Sequence, residues 1–216
     1  MPAEEPLRDN RAFHLIETMR WEPGFGIVRC ALHMQRLAAS ANMLGFALDM
    51  DRVVGVLRAL EAARDPLRIR LTLDRDGAIK VQPQPYVALP NGTVWRLGIG
   101  SVRLESGDTL LRHKTSLRSR YDQARAEFDT SEVDEVLLLN EHGQLCEGTI
   151  TNLFVKADDG PLVTPPISCG LLAGVLRAEL LAQGKAIERV VRPEDLTDGA
   201  VFVGNSLRGL IPGRLS

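Results

Sequence analysis

The chain has 216 residues, of which 44% are hydrophobic and 25% charged, and its formal net charge is -2 at pH 7. This composition predicts a globular chain with one large or two small domains, and the weak net charge argues against nucleic acid or an anionic membrane as a partner. The apolar stretches are too short to predict a transmembrane helix, and the polar N-terminus is unlike a signal peptide.

The first half of the chain predicts a small α/β domain over residues 1–86. Apolar residues recur at helical spacing before Gly45, and Asp76-Gly77 is a hairpin signal between two alternating segments. The predicted elements are strands at 13–20, 26–30, 67–73 and 78–82 and helices at 31–44 and 51–63.

The second half predicts another domain over residues 94–216, after a linker at 87–93 in a segment rich in proline and containing Asn91-Gly92. The predicted elements are strands at 94–99, 135–139, 145–155, 187–191 and 200–204 and helices at 118–128 and 171–183. Strands and helices mixed in both halves predict an α+β or mixed α/β fold in two small domains.

Lysine is scarce in this chain, which draws attention to each one. Of the 26 basic residues only four are lysine: Lys80, Lys114, Lys156 and Lys185. Unlike arginine, lysine can lose its proton and then act as a nucleophile or base. Three of the four lie beside turn or helix-end signals, whereas Lys114 does not. Lys114 is therefore a candidate functional residue.

Several common site motifs are absent from the sequence. There is no GxxxxGK[ST] phosphate loop, no GxGxxG after a strand, no HExxH pair and no GxSxG elbow. The cysteines, Cys30, Cys146 and Cys169, are far apart, which predicts reduced thiols, no metal site and a cytoplasmic location.

Five ordered segments carry a family resemblance. They are L-I-E-T-M-R with H-M-Q-R-L-A-A-S-A-N-M-L-G (within 15–45), R-H-K-T-S-L-R-S-R-Y-D (112–122), G-Q-L-C-E-G-T-I-T-N-L-F (143–154), G-L-L-A-G-V-L-R (170–177) and V-F-V-G-N-S-L-R-G-L-I-P (201–212). Together they span nearly the whole chain and resemble the fold-type IV, or class IV aminotransferase, family of pyridoxal-phosphate enzymes. The resemblance implies the two-domain D-amino-acid aminotransferase-like architecture.

The resemblance also implies residue roles. Lys114 matches the lysine that carries pyridoxal phosphate, and Glu147 matches the carboxylate that faces the pyridine nitrogen. Four further matches concern the phosphate: the Arg36 guanidinium, the Ser206 hydroxyl, and the backbone N–H groups of Val175 and Leu176 at a helix start. The candidate substrate contacts are Thr18, Arg20, Tyr121, Asn205 and Arg208.

Within the family, three functions stay open. The tail N-S-L-R-G-L-I-P resembles that of 4-amino-4-deoxychorismate lyases, which release p-aminobenzoate and pyruvate for folate biosynthesis. Transaminases that act on branched-chain or D-amino acids typically carry S-G-T-A-x-E-[IV]-x-P at this place. The tail therefore favours the lyase over an aminotransferase, and a catalytically silent binding module is the third alternative.

The chain departs from the family pattern at its start. Most members carry a longer segment before the E-T-x-R strand, whereas this chain begins almost directly at it, with Leu7-Arg8-Asp9-Asn10. Substrate contacts from that segment would be absent or replaced, and a strand edge would need cover. By resemblance we expect a homodimer that acts on a small molecule, and an association with aminodeoxychorismate synthase.

Overall fold

The computed structural model describes residues 12–60, 62–157, 160–197 and 199–216, which form two compact units. The first unit extends to Val87 and also includes Lys114–Leu117. The second comprises Ala88–His113 and Arg118–Ser216. A short piece of the predicted C-terminal domain thus groups with the first unit. The N-terminal residues 1–11, on which the expectation of a shortened start depends, lie outside the described part.

The first unit contains a four-stranded antiparallel sheet in the order β2-β1-β3-β4. Its strands are β1 (Leu15–Glu22), β2 (Gly26–Ile27), β3 (Leu67–Leu73) and β4 (Ile79–Pro85). Along β3 every second residue from Ile69 to Leu73 is fully buried, and Arg68 and Arg70 lie on the other face. This is the arrangement that the alternating sequence predicts.

Two helices complete this unit, α1 (Cys30–Leu44) and α2 (Met50–Arg58). Helix α1 packs on β1 and ends as predicted at Gly45, whose φ of 69° is readily adopted by glycine. The predicted return strand at 26–30 is too long, because Arg29 takes a left-handed conformation that leads into α1. Helix α2 ends before residue 63, where the bond from Leu60 N–H to Leu57 O tightens the chain.

The second unit contains an eight-stranded sheet in the order β10-β9-β8-β11-β12-β5-β6-β7. Pairing of β7 with β8 closes the central strands into a ring. The strands are β5 (Trp95–Leu104), β6 (Glu135–Asn140), β7 (Leu145–Gly148), β8 (Asn152–Val155), β9 (Leu162–Thr164), β10 (Ala186–Glu188), β11 (Val201–Asn205) and β12 (Gly209–Leu215). The helices are α3 (Ser119–Ala126) and α4 (Val175–Ala182).

Strand β6 is buried on both faces, which explains its unbroken apolar run. Leu137 and Leu139 join one hydrophobic cluster, while Val136 and Leu138 join a second cluster that includes Ala124 of α3. The prediction of a buried strand at 135–139 is confirmed. Two sheets with packed helices also confirm the mixed α/β class. None of the described helices is long and apolar enough to cross a lipid bilayer.

Two predictions for the second unit are wrong in detail, and two of its strands were missed. The strand predicted at 145–155 is interrupted by a turn at 149–151. The N–H of Thr149 and the hydroxyl of Thr151 in this turn donate to the buried Glu135. The helix predicted from residue 171 begins only at Val175, because Gly174 is extended. Strands β9 and β12 were not predicted. The first has three residues, and Pro212 interrupts the pattern of the second.

Candidate active site

Lys114 lies in a segment that pairs with β1. Its carbonyl accepts from Ile16 N–H at 2.8 Å, and Ser116 N–H donates to His14 O at 3.0 Å. Thr115, which is buried, forms a bridge with Leu15. The backbone on both sides of Lys114 is therefore fixed, while its side chain is half-buried. This is a suitable setting for an amine that must be presented in one place.

Arg36 on α1 is held by a buried carboxylate. Its Nε and Nη2 donate to the two carboxylate oxygens of Glu17 at 2.8 and 2.6 Å, and His33 Nδ1 lies 2.6 Å from Oε2 of Glu17. Burial raises the pKa of Glu17, but Arg36 and His33 outweigh it and hold that pKa at about 2. Glu17 is thus ionised, and the plane of the Arg36 guanidinium is fixed.

Thr18 and Arg20 lie on the other face of β1. The register places Thr18 opposite Arg70 and Arg20 opposite Arg68 of β3. Arg20 Nε is 3.1 Å from Glu22 Oε1, and the Arg20 guanidinium lies 5.7 Å from the centre of the Tyr86 ring. This sheet face carries several cations, and the assignment of Thr18 and Arg20 to substrate stays a prediction.

Glu147, near the end of β7, is buried and accepts from three neutral donors. Its Oε1 accepts from Tyr121 OH at 2.8 Å and from Leu172 N–H at 3.1 Å, and its Oε2 accepts from Asn152 Nδ2 at 3.3 Å. Burial and then the nearby Glu147 raise the pKa of Tyr121 well above its usual value. The phenol therefore remains a donor. Tyr121, predicted as a substrate contact, is in this structure a partner of Glu147.

Asn152, the first residue of β8, joins Glu147 to the start of α4. Its Nδ2 also donates to Leu172 O at 3.0 Å, and a Cβ on Gly174 would overlap its Oδ1. Val175 and Leu176 form the first turn of α4, where backbone N–H groups have no acceptor within the helix. Such N–H groups suit an anion.

Ser206 is buried in the turn between β11 and β12, close in the fold to α4. Strand β11 contacts α4 at Gly204, where an added Cβ would lie 2.9 Å from the Leu176 side chain. Asn205 shapes this turn: its Oδ1 accepts from Arg208 N–H at 3.0 Å, and its Nδ2 donates to Ile150 O at 3.1 Å. Ser206 thus lies two residues after a position that faces α4, and its shared phosphate role with the start of α4 stays a prediction.

Sequence reasoning missed the partners of the assigned residues. Glu17, His33 and Asn152 stand inside the matched segments, but their contacts depend on pairing of distant elements. Glu135 was read only as the start of a strand. It is fully buried and accepts from Thr149, Ile150 and Thr151, so it holds the turn that links Glu147 to Asn152. The signal for it was a charged residue at the head of an apolar strand.

Comparison with known proteins identifies the family. Residues 14–215 match the model described as amino-transferase class IV, so the chain belongs to the class IV aminotransferase family. Members of this family depend on pyridoxal phosphate.

Individual relatives carry different names. A solved structure from Mesorhizobium loti, named "Putative amino-acid aminotransferase", is 52% identical, with a TM-score of 0.91 over 94% of this chain and 100% of that one. A "Putative aminodeoxychorismate lyase" of Schizosaccharomyces pombe is 28% identical over 85% of this chain and 82% of its own. A "Probable branched-chain-amino-acid aminotransferase" of Thermotoga maritima is 28% identical over 84% and 70%.

The chemistry of the described residues fits pyridoxal phosphate. In the first unit a guanidinium with a fixed plane, and in the second unit a buried hydroxyl and a helix N-terminus, are groups of the kind that bind phosphate. A buried carboxylate such as that of Glu147 is of the kind that accepts from a protonated pyridine nitrogen, and an amine such as that of Lys114 is of the kind that an aldehyde requires.

Proposed function

We propose that this class IV family enzyme is a pyridoxal-phosphate-dependent lyase that converts 4-amino-4-deoxychorismate to p-aminobenzoate and pyruvate. In this proposal Lys114 carries the cofactor, and Glu147 faces its ring nitrogen. Arg36, Ser206 and the N–H groups of Val175 and Leu176 hold its phosphate.

The observation that carries the proposal is the turn Asn205–Gly209. Asn205 caps it by accepting from Arg208 N–H, and Gly209 takes a φ of 77°, which glycine adopts most readily. These two residues are also the asparagine and glycine of the lyase-like tail. The transaminase pattern S-G-T-A-x-E lacks both at these positions, so its turn would need other contacts. The lyase-named relative in Schizosaccharomyces pombe gives further support.

In this reaction the main tasks of the chain are to orient the substrate and to transfer protons. Bound pyridoxal phosphate supplies an electron sink. Lys114 Nζ removes the proton from the ring carbon that bears the amino group and returns a proton to the methylene carbon of the departing enolpyruvyl group. Glu147 favours a protonated pyridine nitrogen. The ring becomes aromatic as the C–O bond breaks, and the atoms of the substrate are divided between p-aminobenzoate and pyruvate.

A second candidate is an amino-acid transaminase. It is favoured by the 52% identity to the Mesorhizobium loti protein, whose name is that of an aminotransferase. The same Lys114 and Glu147 would serve it, because both reactions begin with removal of a proton next to the amino group.

The test is to mix the cofactor-loaded protein with freshly generated aminodeoxychorismate and follow the fluorescence of p-aminobenzoate. We expect product from the wild type and a loss of rate by about a thousandfold or more in Lys114→Ala, because no other group replaces the amine. Lys185→Ala removes an exposed lysine three residues after α4 and is expected to keep the wild-type rate.

Absence of product from folded, yellow protein would reject the lyase. Pairs of amino acid and 2-oxo acid would then be assayed, and turnover of such a pair would favour the transaminase. Equal activity in Lys114→Ala and the wild type would reject the role of Lys114 in either reaction.

A further inference from the structure

We infer that Glu17 and His33 are positioning residues for the cofactor phosphate: they act through Arg36 by fixing the plane of its guanidinium. The inference rests on the proposed phosphate role of Arg36. It assigns a function to a buried carboxylate and a buried imidazole that the reaction itself does not use.

The first step of the argument is the geometry of the guanidinium. Glu17 accepts from Nε and Nη2 of Arg36, which form one edge of the planar group. A two-point contact fixes both the position and the rotation of the plane, whereas a single contact would allow rotation. In a planar guanidinium, Nη1 then lies on the opposite side of the central carbon from the edge that faces Glu17.

The second step is the rigidity of the carboxylate itself. The side chain of Glu17 is 1% exposed, and it projects from β1 towards α1. His33 stands one helical turn before Arg36 and contacts Oε2 of Glu17 at 2.6 Å, with its own side chain fully buried. The carboxylate therefore contacts two residues on the same face of one helix, and neither oxygen can turn away without breaking a short contact.

The third step concerns cost. A buried ion pair contributes little net stability, because removal of both charges from water offsets most of their attraction. An apolar pair at this helix–strand contact would serve the core as well. An arginine held in this way is, however, well suited to bind a phosphate. Its side chain is already ordered, so binding costs less conformational entropy.

The experiment compares pyridoxal phosphate with pyridoxal, which lacks only the phosphate. Affinities are measured by absorbance titration of the apoprotein, so the readout does not depend on turnover. We expect Glu17→Gln to weaken pyridoxal phosphate about tenfold or more and to change pyridoxal less than about twofold. Arg36→Ala should lose the same preference for the phosphate, and adding Glu17→Gln to it should cause no further loss.

The matched control is Asp134→Asn. Asp134 holds Arg96 by the same two-point contact, with Nε–Oδ2 and Nη2–Oδ1 distances of 3.0 Å, in a part of the second unit with no proposed phosphate role. It should leave the ratio of the two affinities unchanged. If Glu17→Gln does not fold, His33→Gln, which removes the third member alone, should give a smaller loss of the same selectivity.

If Glu17→Gln, or His33→Gln in its place, weakens the affinity for both ligands equally or for neither, the inference is overturned. The contacts of Glu17 with Arg36 and His33 would then be purely structural. A wild-type preference for the phosphate that persists in Arg36→Ala would overturn the role of Arg36, and the inference with it, while cofactor binding would stand. A wild type that takes up neither ligand would reject the proposed function itself.

Discussion

Two buried glutamates in this chain are stabilised by different kinds of partner. Glu17 contacts a guanidinium and an imidazole, whereas Glu147 accepts from a phenol, an amide and a backbone N–H. The charge of Glu17 is thus balanced within its own cluster. The three donors to Glu147 are neutral, and its proposed partner is a protonated ring nitrogen, which would favour the ionised carboxylate.

The ion pair of Glu17 makes the free energy of unfolding depend on pH. Its pKa is about 2 in the folded chain and 4.5 in an ordinary glutamate. The ionised Glu17 carboxylate contributes fully to the free energy of unfolding above about pH 4.5. This contribution declines as the pH falls, because the unfolded chain takes up a proton first, and it is lost once the folded carboxyl is protonated near pH 2.

We therefore expect the free energy of unfolding of the wild type, relative to Glu17→Gln, to fall by roughly 3 kcal/mol from pH 5 to pH 2. Urea denaturation of both proteins at several pH values measures this difference. Parallel pH profiles of the two proteins across this interval would contradict it.

At the scale of elements, the turn at 149–151 is bonded to side chains that lie far from it in the sequence. Glu135 accepts from its N–H and hydroxyl groups, Arg118 Nη2 donates to Thr149 O at 2.8 Å, and Asn205 Nδ2 donates to Ile150 O. A Cβ at Gly148 would lie 2.8 Å from the Glu135 carboxyl. The turn between Glu147 and Asn152 is therefore held by groups from three other elements.

The contact between Asn152 of β8 and the start of α4 is a second close packing arrangement, and Gly174→Ala tests how tightly Asn152 is confined there. The backbone at Gly174, with φ -65° and ψ 144°, is open to alanine, so the cost arises from overlap of the new Cβ with Asn152. Asn152 must then move and release Leu172 O and Glu147. We expect a loss of roughly 2–4 kcal/mol in the free energy of unfolding.

Chemical denaturation with Gly107→Ala as control measures this effect. Gly107 is exposed, and a Cβ there would meet nothing within 4 Å. Equal stability of the two variants would show that Asn152 is not confined as described.

For the molecule as a whole, periodicity predicted most strands and helices, and ordered motifs predicted the family. β3 matches its predicted range because alternation is strict there, whereas β12 was missed because Pro212 and two glycines interrupt its pattern. Contacts such as Glu17 with Arg36 escaped prediction because they join residues 19 positions apart on different elements. A motif names the residues of a site, but only the fold shows which of them touch.

The pairing of Lys114–Ser116 with β1 bears on how this protein could be divided into modules. Severing the chain between Val87 and Ala88 separates β1 from the peptide groups that bond His14 and Ile16. We expect a fragment of residues 1–87 to be poorly folded by circular dichroism, and fragment 88–216 added in trans to restore structure. A native-like fragment 1–87 would contradict this. The lysine proposed for catalysis thus belongs to the second half of the sequence, yet its neighbours complete the hydrogen bonding of the first half, so a boundary drawn in the sequence at residue 87 is not a boundary in the fold.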